Sequence, residues 1–257
     1  MRIADQISAF LYRNRIRGAT RFHATACRGR RIEVQTRHGV TLRLDPFEYI
    51  DHLIIKHGYY EEEVLQAILE ALQPKQVFWD IGANLGIHSL TVRARNPKSS
   101  VFAFEPNPKM ASLISDAATA NRLHVEVCPV ALDSEHGEAD FFLHAGNAGR
   151  SGLHNWDNDP SLESIQVPTR RGDDFIEQEQ AQAPHVIKID VEGHEAAVLK
   201  GLARTLAGQA LHTIVFEDSS DPESPVKRLL REYNFFISVL SRREPTHHDL
   251  ENFKATR

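Results

Sequence analysis

The chain changes its pattern of apolar residues near residue 75. Before that point, apolar residues recur at three- and four-residue spacing in segments 3–11 and 61–72, as in amphipathic helices. Two alternating segments flank His38-Gly39, which predicts a β-hairpin, and Pro74 ends the second helical pattern. We therefore expect an N-terminal extension over residues 1–74, built from a basic amphipathic helix, a hairpin and a helix.

From residue 75 onward, short continuous apolar runs alternate with helical patterns. The runs VFWDI, VFAFE and HVIKID lack in–out alternation and are typical of strands buried on both faces of a parallel sheet. Further strands are predicted in HVEVCPVAL, ADFFLH, SIQVPT and LHTIVFE, and helices at 87–95, 110–121 and 195–206. This alternation predicts an α/β domain over residues 75–257, a doubly wound sheet with helices on both faces.

The loop after the first buried strand is a candidate ligand site, because ligands bind beyond the carboxyl ends of such strands. Gly82 and Gly86 bracket it and allow a ligand to approach the backbone. The spacing departs from the G-x-G-x-x-G dinucleotide fingerprint, since Asn84 stands where a middle glycine would admit a pyrophosphate. The loop predicts a site for the polar end of a ligand that is smaller than a pyrophosphate. Taken alone, it is equally consistent with a tight turn that binds no ligand.

Glu105 ends the second buried strand, 25 residues after Asp80. An acidic side chain at this position can accept hydrogen bonds from both hydroxyls of a ribose. The alternative is a surface residue that caps the helix near Asn107. The loop and the acid occur in the order expected of a nucleoside site, so we favour a cofactor.

Three segments, VFWDIGANLGIHSL, VFAFEPNPKMASLI with Asn121, and VIKIDVEGHEAAVLKGL, resemble the FkbM-type family of S-adenosylmethionine-dependent methyltransferases over residues 77–217. The resemblance implies a Rossmann-like class I methyltransferase fold with a mainly parallel seven-stranded sheet and one antiparallel strand. It also implies S-adenosyl-L-methionine as the cofactor and a hydroxyl oxygen of a small molecule or sugar as the acceptor. The cofactor-binding residues expected from the loop, the acid and this resemblance are Tyr60, Glu61, Asp80, Gly82, Asn84, Gly86, Glu105, Pro106 and Ala131.

The segment DVEGHE follows the fourth buried strand and supplies the predicted catalytic residues Asp190, Glu192 and His194. A carboxylate or imidazole here can take the proton of the acceptor hydroxyl, which is a weak nucleophile near neutral pH. Glu192 and His194 have a structural alternative, because either can favour the N-terminus of the next helix. Three ligands within five residues of one turn do not form a recognised closed site, so we predict no metal.

Two further segments are candidates to cover the site. Tyr60 and Glu61 resemble the family's upstream segment, where they would cover the cofactor and bind its amino group; the alternative is an exposed helix start. Segment 144–156 is rich in Gly and Asn and contains Arg150 and Trp156. It is typical of a substrate lid or of an idle insertion.

Composition limits the class of protein. The 257 residues are 41% hydrophobic and 25% charged, as in globular domains, and no apolar run has the length of a membrane helix. Cys27 and Cys128 are too few for a disulfide scaffold, and the first residues lack a signal peptide. We therefore expect a cytoplasmic protein.

The net charge of −5 conceals an asymmetry: residues 1–37 carry nine Arg and two acidic residues, a balance of +7. This arm predicts weak contact with an anionic surface, although the arginines can also pair with the acidic body. Nucleic acid is not favoured, because no aromatics interleave the arginines. Two alternative functions remain, a nicotinamide-dependent oxidoreductase and a non-catalytic module acting through the arm. The missing middle glycine argues against the first, and the intact strand-end residues argue against the second.

Overall fold

The structure is a computed structural model that describes residues 2–155, 158–179, 181–241 and 250–257. Its helices and strands are, in chain order, α1 (Ile3–Arg13), α2 (Ala19–Ala26), β1 (Ile32–Gln35), β2 (Thr41–Leu44), α3 (Tyr49–His57), α4 (Glu62–Ala71), β3 (Val77–Ile81), α5 (Ile87–Arg95), β4 (Ser100–Phe104), α6 (Pro108–Asn121), β5 (Glu126–Cys128), β6 (Ala131–Asp133), β7 (Gly137–Leu143), β8 (Glu163–Arg171), α7 (Gly172–Gln178), β9 (Val186–Ile189), α8 (Glu195–Gly201), α9 (Ala203–Ala207), β10 (Thr213–Ser219), α10 (Pro225–Glu232), β11 (Phe236–Ser241) and β12 (Leu250–Thr256).

Seven strands form the central sheet in the order β11-β12-β10-β9-β3-β4-β5. The pairs from β10 to β5 are parallel, whereas β12 lies antiparallel between β10 and β11. The strand order reverses between β3 and β9, which places a switch point at the carboxyl ends of these two strands. The predicted mainly parallel seven-stranded sheet with one antiparallel strand is confirmed.

The buried strands have apolar side chains on both faces. Within β3, Phe78 belongs to one apolar cluster, and Trp79 and Ile81 belong to a second cluster on the other face. The first cluster also contains residues of β1, β2, α3 and α4, so the N-terminal segments pack against the sheet. The domain boundary at residue 74 stays a prediction. The apolar cluster on one face of the sheet contains residues from both sides of this boundary.

A second sheet, of order β6-β8-β7, lies beside the central one. The strand predicted at 124–132, with a break at Pro129, forms two strands: β5 joins the central sheet and β6 joins the second sheet, on either side of Pro129. The predicted helix 195–206 is also divided, into α8 and α9. A Cβ on Gly201 would lie 2.0 Å from the Asp133 carbonyl oxygen, so the backbone at the end of α8 packs directly on β6.

Among the described residues, no helix combines the length and the apolar composition that crossing a membrane requires. Cys27 and Cys128 are both buried free thiols. Helices α2, α3, α7 and α10 were not predicted. The polar segment after Phe235, for which the sequence supported no assignment, contributes β11 and β12, while residues 242–249 lie outside the described part.

Candidate active site

A cavity of about 970 Å³ opens at the carboxyl ends of the central parallel strands. Ten of the twelve predicted site residues line it: Tyr60, Glu61, Gly82, Asn84, Glu105, Pro106, Ala131, Asp190, Glu192 and His194. Asp80 and Gly86 are not among its lining residues. The structure thus brings together, in one cavity, residues that lie up to 134 positions apart in the sequence.

The glycines of the β3–α5 loop allow neighbouring segments to pack closely against its backbone. Gly82 has φ +77°, and a Cβ there would lie 1.9 Å from the Asp190 carbonyl oxygen. Gly86 has φ +70°, and its Cβ would lie 2.9 Å from two side-chain carbons of Ile114. Gly82 therefore joins the predicted cofactor loop to the DVEGHE turn, and Gly86 seats the loop against α6.

Glu105 is held by two backbone donors. Its Oε2 accepts a hydrogen bond from Asn84 N and its Oε1 accepts one from Asn107 N, both at 2.8 Å. Burial raises the pKa of Glu105 to about 7, against the lowering effect of these two donors. Each carboxylate oxygen keeps a lone pair for a ligand. The helix cap of α6 is Asn107, whose side chain accepts from Lys109 N, so Glu105 does not have the capping role considered from the sequence.

Asn84 has φ +51° and lies on the wall of the same cavity. Its Oδ1 is buried and has no hydrogen-bond partner among the described residues. An unpartnered acceptor on a cavity wall gives a polar ligand a place to donate a hydrogen bond.

Asp80 lies behind the loop. Its Oδ2 accepts hydrogen bonds from the backbone N and the Oγ of Ser89, at 3.0 and 2.6 Å, and these fix the first turn of α5. Lys188 Nζ lies 3.7 Å from Asp80 Oδ1 and 3.2 Å from Asp190 Oδ2, and it donates to Gly82 O at 3.2 Å. Burial lowers the pKa of Lys188, but Asp190 and Asp80 outweigh it and the pKa is raised. One cation thus connects β3, β9 and the loop.

Three acidic residues meet at the ends of β9 and β10. Asp190, Glu192 and Glu217 each place one carboxylate oxygen within 4.8 Å of the others, a grouping that could hold a metal ion. Burial raises the pKa of Glu192 to about 8, with Asp190 and Glu195 adding to the effect. Burial also raises the pKa of Glu217 to about 9, with Asp190 and Glu192 contributing. Glu192 and Glu217 therefore hold protons more tightly than ordinary glutamates do.

Glu217 was missed from the sequence. The signal was available, because Glu217 follows the fifth apolar run as Glu105 and Asp190 follow the second and fourth. The parallel pairing of β9 and β10 brings the ends of the two strands to one edge of the sheet.

His194 faces away from this carboxylate group. Its Nε2 lies 3.0 Å from Asp133 Oδ1 and its Nδ1 lies 3.3 Å from His154 Nε2. His194 is the N-cap residue of α8 but makes no side-chain cap hydrogen bond. The turn is held instead by Glu195, whose Oε1 accepts from Val191 N and Gly193 N, each at 3.1 Å.

The opposite wall is formed by Tyr60, Glu61 and His88. Glu61 Oε2 lies 3.5 Å from His88 Nε2, and Tyr59 Oη lies 3.2 Å from His88 Nδ1. Burial lowers the pKa of His88 to about 4, so the imidazole is neutral. His88 was not predicted, although it lies within the IHSL segment of the first motif.

Comparison with known families decides the class of protein. The sequence matches the Methyltransferase FkbM domain over residues 80–251, more than half of its 257 residues. The chain belongs to the FkbM methyltransferase family. This confirms the resemblance noted in the sequence and the methyltransferase class, and it favours methyl transfer over the nicotinamide-dependent alternative.

Two relatives of this FkbM-family chain are named for the acceptor or for the methylated position. The hexuronic acid methyltransferase AglP of Haloferax volcanii is 29% identical over 169 residues, covering 66% of this chain and 67% of AglP. The 2-O-methyltransferase NoeI of Sinorhizobium fredii is 27% identical over 168 residues, covering 59% of this chain and 66% of NoeI. The matches thus span about two thirds of these relatives. The solved structure of methyltransferase FkbM from Methylobacillus flagellatus has a TM-score of 0.48 and 15% identity, covering 98% of this chain and 58% of that one.

The predicted lid segment of this FkbM-family methyltransferase lies over the cavity, which residues 147–153 line. It is anchored beside α3, because Tyr49 N donates to Gly146 O at 2.9 Å and Ala148 N donates to Glu48 Oε2 at 3.3 Å. Gly152 exchanges backbone hydrogen bonds with Phe142 of β7. Trp156 lies outside the described residues.

Proposed function

We propose that this FkbM-family methyltransferase transfers the methyl group of S-adenosyl-L-methionine to a hydroxyl oxygen of a carbohydrate or other small-molecule acceptor. The single observation that carries the proposal is Glu105 at the end of β4. Two backbone N–H groups fix its carboxylate on the cavity wall, and each oxygen retains a lone pair. The hexuronic acid and 2-O specificities named for AglP and NoeI support a sugar hydroxyl as the acceptor.

The residues on the β3–β4 side fit the cofactor. Glu105 would accept from the ribose hydroxyls, Asn84 Oδ1 offers an unpartnered acceptor, and Pro106 and Ala131 supply an apolar wall for adenine. Tyr60 and Glu61 border this half of the cavity. When bound, S-adenosyl-L-methionine supplies a methyl group on a positively charged sulfur, which is strongly electrophilic. The protein's part is to hold donor and acceptor in line.

The residues on the β9–β10 side suit the acceptor. Lys188 pairs with Asp190 at 3.2 Å, and burial, with Asp190 and Glu195 adding to it, raises the pKa of Glu192 to about 8. Glu192 would accept the proton of the acceptor hydroxyl as the methyl carbon exchanges its bond to sulfur for a bond to oxygen, which leaves S-adenosylhomocysteine as the second product. Proton affinity near the working pH is the property that a general base needs. His194 contributes from the edge of the site, where it contacts Asp133.

A test of cofactor binding uses calorimetric titration with S-adenosylhomocysteine. Glu105→Ala should weaken its affinity at least about tenfold, because hydrogen bonds to a charged group are lost. Glu126→Ala, at an exposed glutamate on the neighbouring strand, is the matched control. Equal affinity in both variants would remove Glu105 from the cofactor site.

A test of the base uses Glu192→Gln with p-nitrophenyl β-glucuronide as the acceptor and mass spectrometry of the product. Turnover should fall about a hundredfold or more while S-adenosylhomocysteine affinity is retained. In the wild type, kcat should rise as pH passes through about 8, because Glu192 must lose its proton, and this rise should vanish in the variant. Retained turnover in Glu192→Gln would refute the assignment.

The carboxylate group offers one alternative to a side-chain base. A divalent cation held by Asp190, Glu192 and Glu217 would acidify the acceptor hydroxyl instead. Turnover unchanged by EDTA supports the base. Loss of turnover that added Mg²⁺ restores would assign the three carboxylates to a cation.

A further inference from the structure

Helix α1 presents its apolar side to solvent. The residues that face the protein are Asp5, Ser8, Ala9 and Tyr12, whereas Ile3, Ile7 and Phe10 are exposed to 76%, 42% and 58%. At 100° per residue these two sets lie on opposite sides of the helix. A helix that packs only against its own protein normally has the reverse arrangement.

Paired polar groups fix this orientation. Asp5 Oδ1 lies 2.5 Å from an Arg30 nitrogen, and Asp5 Oδ2 accepts a hydrogen bond from Glu33 N at 3.3 Å. Ser8 Oγ lies 3.2 Å from His23 Nδ1 in α2. A rotation that buried Ile3 and Phe10 would break these buried contacts, and an unpaired buried carboxylate is strongly unfavourable. The outward apolar stripe is therefore part of the folded arrangement.

Exposed cations accompany the stripe. Arg2 and Arg13 lie at the two ends of α1, and Arg15, Arg17 and Arg21 follow in the turn and in α2, all of them exposed. The nearby acidic residue Asp5 is buried and already paired with Arg30. The exposed charged residues of segment 2–21 are therefore all positive.

This charge selects the kind of partner. A second copy of the chain would bring two segments with a balance of +7 together, which is repulsive. A nucleic acid would use the arginines but leave Ile3, Ile7 and Phe10 in water. A membrane with anionic headgroups uses both the apolar and the basic parts, as interfacial amphipathic helices do.

We propose that α1 docks this methyltransferase on an anionic lipid surface, with Ile3, Ile7 and Phe10 inserted at the acyl boundary and the exposed arginines against the headgroups. The helix would lie in the plane of the interface. The proposal concerns a surface outside the catalytic cavity and does not depend on the identity of the acceptor.

The first experiment measures sedimentation of the full chain with vesicles of phosphatidylcholine, alone or mixed equally with phosphatidylglycerol. The wild type should bind the anionic vesicles, and added salt should weaken binding. The triple variant Ile3→Ser, Ile7→Ser and Phe10→Ser should lose at least about tenfold in partition coefficient. Arg15→Gln and Arg17→Gln should each lose roughly fivefold.

A matched control is Phe236→Ser, which removes an apolar side chain that is 80% exposed on β11. Its binding should equal that of the wild type. Because all the substituted residues are exposed, the unfolding midpoints should stay close to that of the wild type. Absent binding of the wild type to anionic vesicles, or equal binding by the triple variant, would overturn the proposal.

The second experiment measures depth. Ile7→Cys allows a fluorophore to be attached on the stripe, since Cys27 and Cys128 are buried. Anionic vesicles should shift its emission to the blue, and brominated acyl chains should quench it. A labelled stripe that is unquenched, together with a wild-type dimer that the triple variant converts to a monomer, would assign the stripe to self-association and overturn lipid docking. Neither readout involves methyl transfer, so failure here leaves the proposed activity untouched.

Discussion

The two halves of the cavity use the same residue type with different neighbours, although burial raises the pKa of Glu105, Glu192 and Glu217 alike. On the β3–β4 side, Glu105 receives a backbone N–H on each oxygen. On the β9–β10 side, Glu192 and Glu217 lie beside Asp190, and like charge adds to burial in raising their pKa values to about 8 and about 9. The first carboxylate is prepared to receive a neutral polar ligand, whereas the second pair is prepared to hold a proton.

Backbone geometry explains the difference. In the β3–α5 loop, Asn84 has positive φ and its N–H donates to Glu105, while the Gly82 and Ala83 N–H groups donate to Phe104 O. On the other side, Arg150 and Lys188 lower the pKa of Glu192, and Lys188 lowers that of Glu217, but burial and the charge of Asp190 outweigh these cations.

The largest expected effect concerns the residue that joins the two halves. Gly82→Ala would place a Cβ 1.9 Å from the Asp190 carbonyl oxygen, and we expect the free energy of unfolding to fall by about 4 kcal/mol or more. Gly146→Ala is the matched control, because Gly146 has the same φ of +77° and nothing within 4 Å of a Cβ. It should lose only about 1 kcal/mol. If urea unfolding gave the same loss of free energy for Gly82→Ala and Gly146→Ala, the β3–α5 loop and the DVEGHE turn would not be in rigid contact.

The next effect removes the shared cation. Lys188→Met leaves the buried Asp80 and the half-buried Asp190 without this cation, and the free energy of unfolding at neutral pH should fall by about 3 kcal/mol. The pKa of Lys188 is raised in the folded state from 10.5, so the loss should shrink at pH values above this, where the wild-type lysine gives up its proton. Lys109→Met, at an exposed lysine of α6, should change stability little. A loss independent of pH would point to packing instead of charge.

Glu105→Gln tests the β3–β4 side of the cavity, where backbone N–H groups hold the carboxylate. An amide nitrogen would then face a backbone N–H, and the free energy of unfolding should fall by about 2 kcal/mol. Chemical unfolding of Glu126→Gln gives the baseline for an exposed glutamate. No loss relative to that baseline would mean that the two N–H contacts do not hold Glu105.

The smallest effect has the opposite sign. The folded pKa of Glu217 is raised from 4.5 to about 9, so the folded state holds the proton more tightly than the unfolded chain. Stability should therefore fall as pH rises from about 5 to about 9. Glu217→Gln cannot ionise, so it should exceed the wild type by about 1 kcal/mol near pH 8, with the difference vanishing below about pH 4. Parallel pH profiles of the unfolding midpoint would contradict the raised pKa.

The local pattern of apolar and polar residues was sufficient to predict those parts of the fold that depend on residues close together in sequence. Strands β3, β4 and β9 are continuous apolar runs, and Gly82 and Gly86 make the loop after β3 recognisable in the sequence. Helix α10 was missed although Ser224 and Pro225 form a recognisable helix start, with the Ser224 side chain accepting from Lys227 N.

Other parts depend on pairing between distant segments. The position of β12 between β10 and β11 follows from registers such as Phe216 with Phe253, which the polar segment before β12 does not reveal. The approach of Glu217 to Glu192 likewise requires the strand order to be known. The outward face of α1 depends on Arg30 pairing with Asp5, a contact invisible to helical periodicity.

The antiparallel strand also sets the order of events during synthesis. Strand β12 is the last of the seven to leave the ribosome, yet it separates β10 from β11. Until it emerges, the nascent sheet exposes one unpaired edge of β10 along its backbone, a template for pairing with another chain. The central sheet is therefore complete only once residues 250–256 have emerged, and protection of that edge by a chaperone would matter most just before they appear.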